Sequence, residues 1–147
     1  MSRRILHPSD FSSGSGAAFK KAVEMAKASR GELMLVHVVS PVVPVAGEGY
    51  ISPKTYEDIA ASSRAWAQKQ LGRLLAKART AGVRAKASVI EGGSAHEQIV
   101  RFARSKRADL IVMGTHGRSG LAKLFLGSVA GRVVAAAPCP VLTVRGK

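Results

Sequence analysis

Apolar and polar positions along this chain fall into two alternating rhythms. Arg3 to Pro8, Glu32 to Val39 and Asp109 to Met113 are short runs, largely apolar and bounded by polar or turn-forming residues. Such runs predict buried strands, the second suited to a doubly covered parallel position. Val83 to Ile90 instead alternates apolar with polar and carries Arg84 and Lys86. That pattern predicts a half-exposed edge strand, charged against further pairing. Pro140 to Val144 reads as the last strand.

Between the strands the apolar spacing is helical. Ala17 to Arg30 has apolar residues at 18, 19, 22, 23 and 26. Lys54 to Ala81 is the longest helix, with Ala67, Leu71, Leu74, Leu75 and Ala78 as its stripe. Trp66 lies beside that stripe and is expected in the core; Lys69, Arg73 and Lys77 form a basic row on the other side. Ala95 to Lys106 is the third helix, with Ser94 and Glu97 spaced as a capping box. A fourth follows Ser128, with apolar residues at 126, 129, 130, 133, 134 and 137. The stretch from Ser40 to Pro53 holds three prolines and two glycines, so a regular element is not expected there. Strand and helix alternate throughout, which predicts one α/β domain over residues 1–147 with a mostly parallel sheet.

The strand ending at Met113 runs into a glycine-rich stretch, Gly114 to Ser128, and then into the fourth helix. Glycines fall at 114, 117, 120 and 127, and Gly127-Ser128 sits at the helix start. Free first-turn amides there favour an anion, most often phosphate. His116, Arg118 and Lys123 add cationic or donor groups. No Walker loop occurs, and Gly14-Ser15-Gly16 lacks a third glycine because position 19 is Phe.

Composition narrows the classes. The 147 residues are 46% hydrophobic and 22% charged, as in a globular domain. No apolar run is long enough to cross a bilayer, and the start lacks a signal-peptide core, so no membrane insertion and a cytoplasmic location are expected. The single Cys139 fits a reducing compartment and reads as a small apolar side chain. Lys and Arg number 23 against 9 Asp and Glu, a formal charge of +14. Non-specific attraction to polyanions follows, and a basic nucleic-acid-binding module is a further alternative. His7 and His37 lie on neighbouring strands without a third converging ligand, so no metal site is expected.

The spacing Gly114-x2-Gly117-x9-Gly127-Ser128 resembles the nucleotide signature of the universal stress protein family, ATP-binding branch. Ile5 to Ser12, Val36 to Val39 and Pro138 to Val144 resemble that family's first, second and last strands. The resemblance implies a Rossmann-like fold of the adenine nucleotide alpha hydrolase type: a five-stranded sheet in order 3-2-1-4-5 with helices on both faces. It also implies a homodimer through the last strand. In that order Asp10 and Gly114 end neighbouring strands whose connections diverge, which is where ligands of open α/β sheets bind.

Gly114, Gly117, Gly127, Ser128 and Val129 are expected to meet phosphate through backbone amides and the Ser128 hydroxyl. His116 and Arg118 would neutralise distal phosphates, though His116 also reads as a solvated loop residue. Asp10 suits the ribose or the base edge, or simply a cap for the next helix. Pro8, Val38 and Met113 are placed to sandwich a base, Val38 doubling as core, and Gly92 to lie close by. The resemblance adds Ser9 and Thr115, which lie within the matching segments. The expected ligand is ATP or AMP, with Mg²⁺ held mainly by the phosphates, in a stress-response regulator or sensor. No base partner for Asp10 is evident, so nucleotide binding is favoured over efficient catalysis, with slow ATP hydrolysis as the alternative.

Overall fold

The computed structural model describes residues 3–40, 52–116 and 126–146. The expected loop over 40–53 lies outside them except for its ends. The elements are β1 (Arg4–Pro8), α1 (Ser13–Ser29), β2 (Glu32–Val39), α2 (Pro53–Thr80), β3 (Arg84–Glu91), α3 (Ala95–Ser105), β4 (Leu110–Gly114), α4 (Ser128–Ala136) and β5 (Val141–Val144). The sheet order is β3-β2-β1-β4-β5. Every pairing is parallel, with Ile5 opposite Leu33 and Leu110, and Ile111 opposite Val141.

Alternation along the strands divides the core between two layers. Ile5, Leu33, Leu35 and Val112 pack against Phe19 and Ala22 of α1 and Leu71 and Ala78 of α2. Leu6, Met34, Val36 and Ile111 pack against Ile99 and Ala103 of α3 and Ala130 and Val133 of α4. Helices therefore cover both faces, and β3 is the edge strand its alternation predicts. Cys139 is half-buried against the second layer, and burial pushes its thiol pKa up. No helix among the described residues is long and apolar enough to cross a membrane.

Four expectations need correction. First, α1 begins at Ser13, not Ala17, because Ser12 caps it: the Ser12 hydroxyl accepts the Ser15 amide at 3.2 Å. Gly14 thus lies inside the first turn, where a Cβ would press on the His116 carbonyl at 3.3 Å. Second, Trp66 is 45% exposed, not core. It sits on the flank of α2 and meets Phe11 edge to face, with ring centroids 5.3 Å apart. Third, the capping box at Ser94 and Glu97 does not form: the Ser94 hydroxyl is buried without a hydrogen-bond partner. Fourth, α4 buries only Ala130 and Val133 of its apolar positions, while Leu126, Val129 and Val134 are exposed. Leu126 precedes the Gly127 N-cap and so lies outside the helix, and Val129 and Val134 fall on either flank of the face that Ala130 and Val133 turn to the core.

Candidate functional site

The C-terminal ends of β1 and β4 lie side by side and their connections leave toward opposite faces. A cleft of about 450 Å³ opens there. Its lining includes Pro8, Ser9, Asp10, Val38, Met113, Gly114, His116, Gly127, Ser128 and Val129. The strand ends and the start of α4 thus bring ten of the expected residues to one cavity. Gly92 and Thr115 do not line it, and Gly117 and Arg118 lie outside the described residues.

The two absentees have structural roles. Gly92 adopts φ 81° in the turn before α3, and its carbonyl accepts the Gln98 side-chain amide at 3.2 Å. Thr115 is a splice point. Its amide donates to the Val144 carbonyl at 3.1 Å, and its own carbonyl accepts the Gly127 amide at 2.7 Å. A Cβ at Gly127 would stand 2.9 Å from that carbonyl and 3.2 Å from the His116 Cα, so only glycine fits without a shift.

Gly127 is also the N-cap of α4, and it has no side chain to satisfy the helix's first amides. Those amides belong to Ser128, Val129 and Ala130, all on the cleft wall. The start of α4 thus presents donors and the positive end of a helix dipole to the cavity. The opposite wall is held by Asp10. Its Oδ1 accepts the Ser12 amide at 3.0 Å and the Ser15 hydroxyl at 2.8 Å. The carboxylate therefore locks the start of α1 as well as lining the cleft.

Sequence reasoning missed Ser15, Val36, His37, Ala95, Ile99, Leu126 and Ala130. His37 carried a readable signal, since it adjoins Val38 at the end of β2. Its Nδ1–H donates to the Ser9 carbonyl at 2.7 Å, and its ring stacks on Phe11 with centroids 4.5 Å apart. Ala95 and Ile99 carried none, because they reach the cleft through the docking of α3 over the sheet. His7, one strand residue before the cleft, is fully buried under α1. Its Nδ1–H donates to the Val112 carbonyl at 2.8 Å, Nε2 has no partner, and burial lowers its pKa to about 4. No group of three or more His, Cys, Asp or Glu is placed to hold a metal among the described residues.

Comparison with known proteins agrees with this architecture. The universal stress protein family model matches residues 1–145. Universal stress protein MJ0531 of Methanocaldococcus jannaschii is 40% identical over 145 residues, spanning 97% of this chain and 82% of that protein. The solved structure of MJ0577, a universal stress protein of the same organism, superposes with a TM-score of 0.85 at 27% identity, covering 100% of this chain and 98% of that one. A family protein of Arabidopsis thaliana, solved with AMP bound, shares the fold at a TM-score of 0.70 and 22% identity, covering 99% of this chain and 92% of its own. With the family model spanning nearly the whole chain and the sheet order of these neighbours reproduced, the chain belongs to the universal stress protein family.

Proposed function

We propose that the chain binds an adenine nucleotide, ATP or AMP, in the cleft between β1 and β4, and that occupancy makes it a nucleotide-dependent regulator or sensor in a stress response. The observation that carries this reading is the start of α4: a glycine N-cap that makes no side-chain cap bond, with the first-turn residues Ser128, Val129 and Ala130 on the wall of a cleft of about 450 Å³. In this reading phosphates lie on Gly127, Ser128 and Val129, and a base lies among Pro8, Val38 and Met113. Asp10 faces the ribose or base edge, away from the phosphates, because like charges repel. His37 and Ile99 extend the wall around the base. The AMP-bound relative of the same fold supports the choice of adenine. Mg²⁺ would take its ligands mainly from phosphate and water. Slow hydrolysis at the same site is the second reading. Against it, the Asp10 carboxylate accepts the Ser12 amide and the Ser15 hydroxyl at the start of α1, which suits a structural clamp better than a general base. A homodimer through β5, the sheet's other edge strand, completes the proposal.

Calorimetric titration with Mg-ATP and then with Mg-GTP, at about 0.15 M salt, tests the site. Saturation near one ATP per chain, with GTP weaker, is the expected result. Equal, strongly salt-dependent heats for both nucleotides would reduce the interaction to surface charge.

A further inference from the structure

The charge excess is not spread evenly. Between Asp58 and Glu91 the chain has no acidic residue and seven basic ones. Three of these, Lys69, Arg73 and Lys77, repeat at four-residue spacing and are exposed on α2. None has an ion-pair partner among the described residues, whereas Arg64 pairs with Glu91 at 3.3 Å and Lys86 with Glu32 at 4.0 Å. The row spans two helical turns, about 12 Å.

Trp66 changes what this row can bind. It precedes Lys69 by three residues and Arg73 by seven, so it lies next to the row on the helix surface. It is 45% exposed, and the perpendicular Phe11 ring steadies it from the side of the sheet. A partly exposed indole beside cations that lack an ion-pair partner among the described residues is the combination that holds single-stranded nucleic acid: cations on the phosphates, an aromatic face under a base. Gly72 and Ala76 between the cations are exposed, and a Cβ at Gly72 would meet nothing within 4 Å, so a backbone can approach closely. An acidic membrane fits less well. Interfacial helices need a broad apolar face. The apolar stripe of α2 is turned into the core, leaving Ile59 and Trp66 as its large exposed apolar side chains.

We infer that the outer face of α2, with Trp66, Lys69, Arg73 and Lys77, is a binding strip for single-stranded nucleic acid, separate from the nucleotide cleft. The probe is a labelled 20-nucleotide oligo(dT), titrated into the full chain at about 50 mM salt and followed by anisotropy and by the fluorescence of Trp66, the chain's single tryptophan. Binding should be saturable and should quench Trp66. The Lys69→Gln/Arg73→Gln/Lys77→Gln variant should bind about tenfold or more weakly, and its log affinity should fall less steeply with log salt by about 2. Trp66→Ala should bind about fivefold or more weakly with the salt slope kept. All substituted side chains are exposed, and matched thermal melts verify that the fold is retained. Four results would overturn the inference: no binding at this salt, a triple variant that binds like the parent, displacement of the oligonucleotide by millimolar ATP, or quenching by phosphatidylserine vesicles in place of oligo(dT).

Discussion

The Gly127 amide donates to the Thr115 carbonyl at 2.7 Å, bringing the first residue before α4 back onto the end of β4. This one bond sets the direction in which the first-turn amides of α4 face the cleft. A side chain at 127 would push against the same carbonyl and against His116. Gly127→Val is therefore expected to displace the start of α4 and weaken Mg-ATP binding by about a hundredfold or more, because the amides lose their common focus. The core packing of α4 rests on Ala130 and Val133, so the melting temperature should fall by only a few degrees. Calorimetry and a thermal melt on the same preparation check both halves. Undiminished ATP binding would remove the start of α4 from the site.

Two serines that look alike in sequence are expected to behave differently. Ser12 and Ser94 are the N-caps of α1 and α3. The Ser12 hydroxyl accepts the Ser15 amide, while the Ser94 hydroxyl is buried without a partner. Ser12→Ala should cost about 1 kcal/mol in urea unfolding. Ser94→Ala should cost near zero or stabilise slightly, since it removes an unsatisfied buried polar atom. Equal losses in the two variants would contradict the geometry at Ser94.

Those serines also mark where the sequence is legible. Buried parallel strands and the edge character of β3 follow from hydrophobic pattern, because burial on one or two faces dictates residue type locally. The strand ends that line the cleft follow in turn, since Pro8, Asp10, Met113 and Gly114 are fixed by where β1 and β4 stop. Strand order did not follow from pattern; it came with the family resemblance. What stays hidden depends on how elements dock. Trp66 stands beside the buried stripe of α2, yet its ring lies 45% exposed on the flank of the helix, edge-on to Phe11. Ile99 is apolar at core spacing whether or not its helix overhangs a cavity. Gly14 looks like a turn residue, yet it belongs to a helix packed against the backbone around Gly114 and His116.

Core packing gives a further expectation. Leu71 is 2% exposed and joins α2 to β2 and β3 through the layer that holds Leu33, Leu35 and Ala85. Leu71→Ala should destabilise the fold by about 2–5 kcal/mol, depending on how far the cavity collapses. Leu74→Ala, in a partly buried position three residues on, should cost less. Urea denaturation of the pair measures the difference, and a larger loss at Leu74 would contradict the placement of the α2 stripe.

His7 gives the fold a pH dependence of predictable sign. The imidazole is fully buried beside Phe19, and burial, partly offset by the bond to Val112 and the charge of Asp10, lowers its pKa from 6.5 to about 4. Between those values the unfolded chain holds a proton that the folded chain excludes. Stability should therefore be full above about pH 6.5 and decline as pH falls toward 4, where the folded ring finally takes up its proton. The gap, at about 1.36 kcal/mol for each pH unit, sets the loss at about 3 kcal/mol. His7→Asn keeps an N–H near the place of Nδ1 for the Val112 carbonyl and carries no proton to exchange. The variant should start less stable at pH 7, through lost packing, and should lose about 3 kcal/mol less than the parent on going to pH 4. Carboxylates contribute to both proteins alike, so the difference in slope isolates the imidazole. Urea unfolding at pH 7, 6, 5 and 4 measures it, and parallel curves would mean that His7 titrates in the folded chain as it does in the unfolded one.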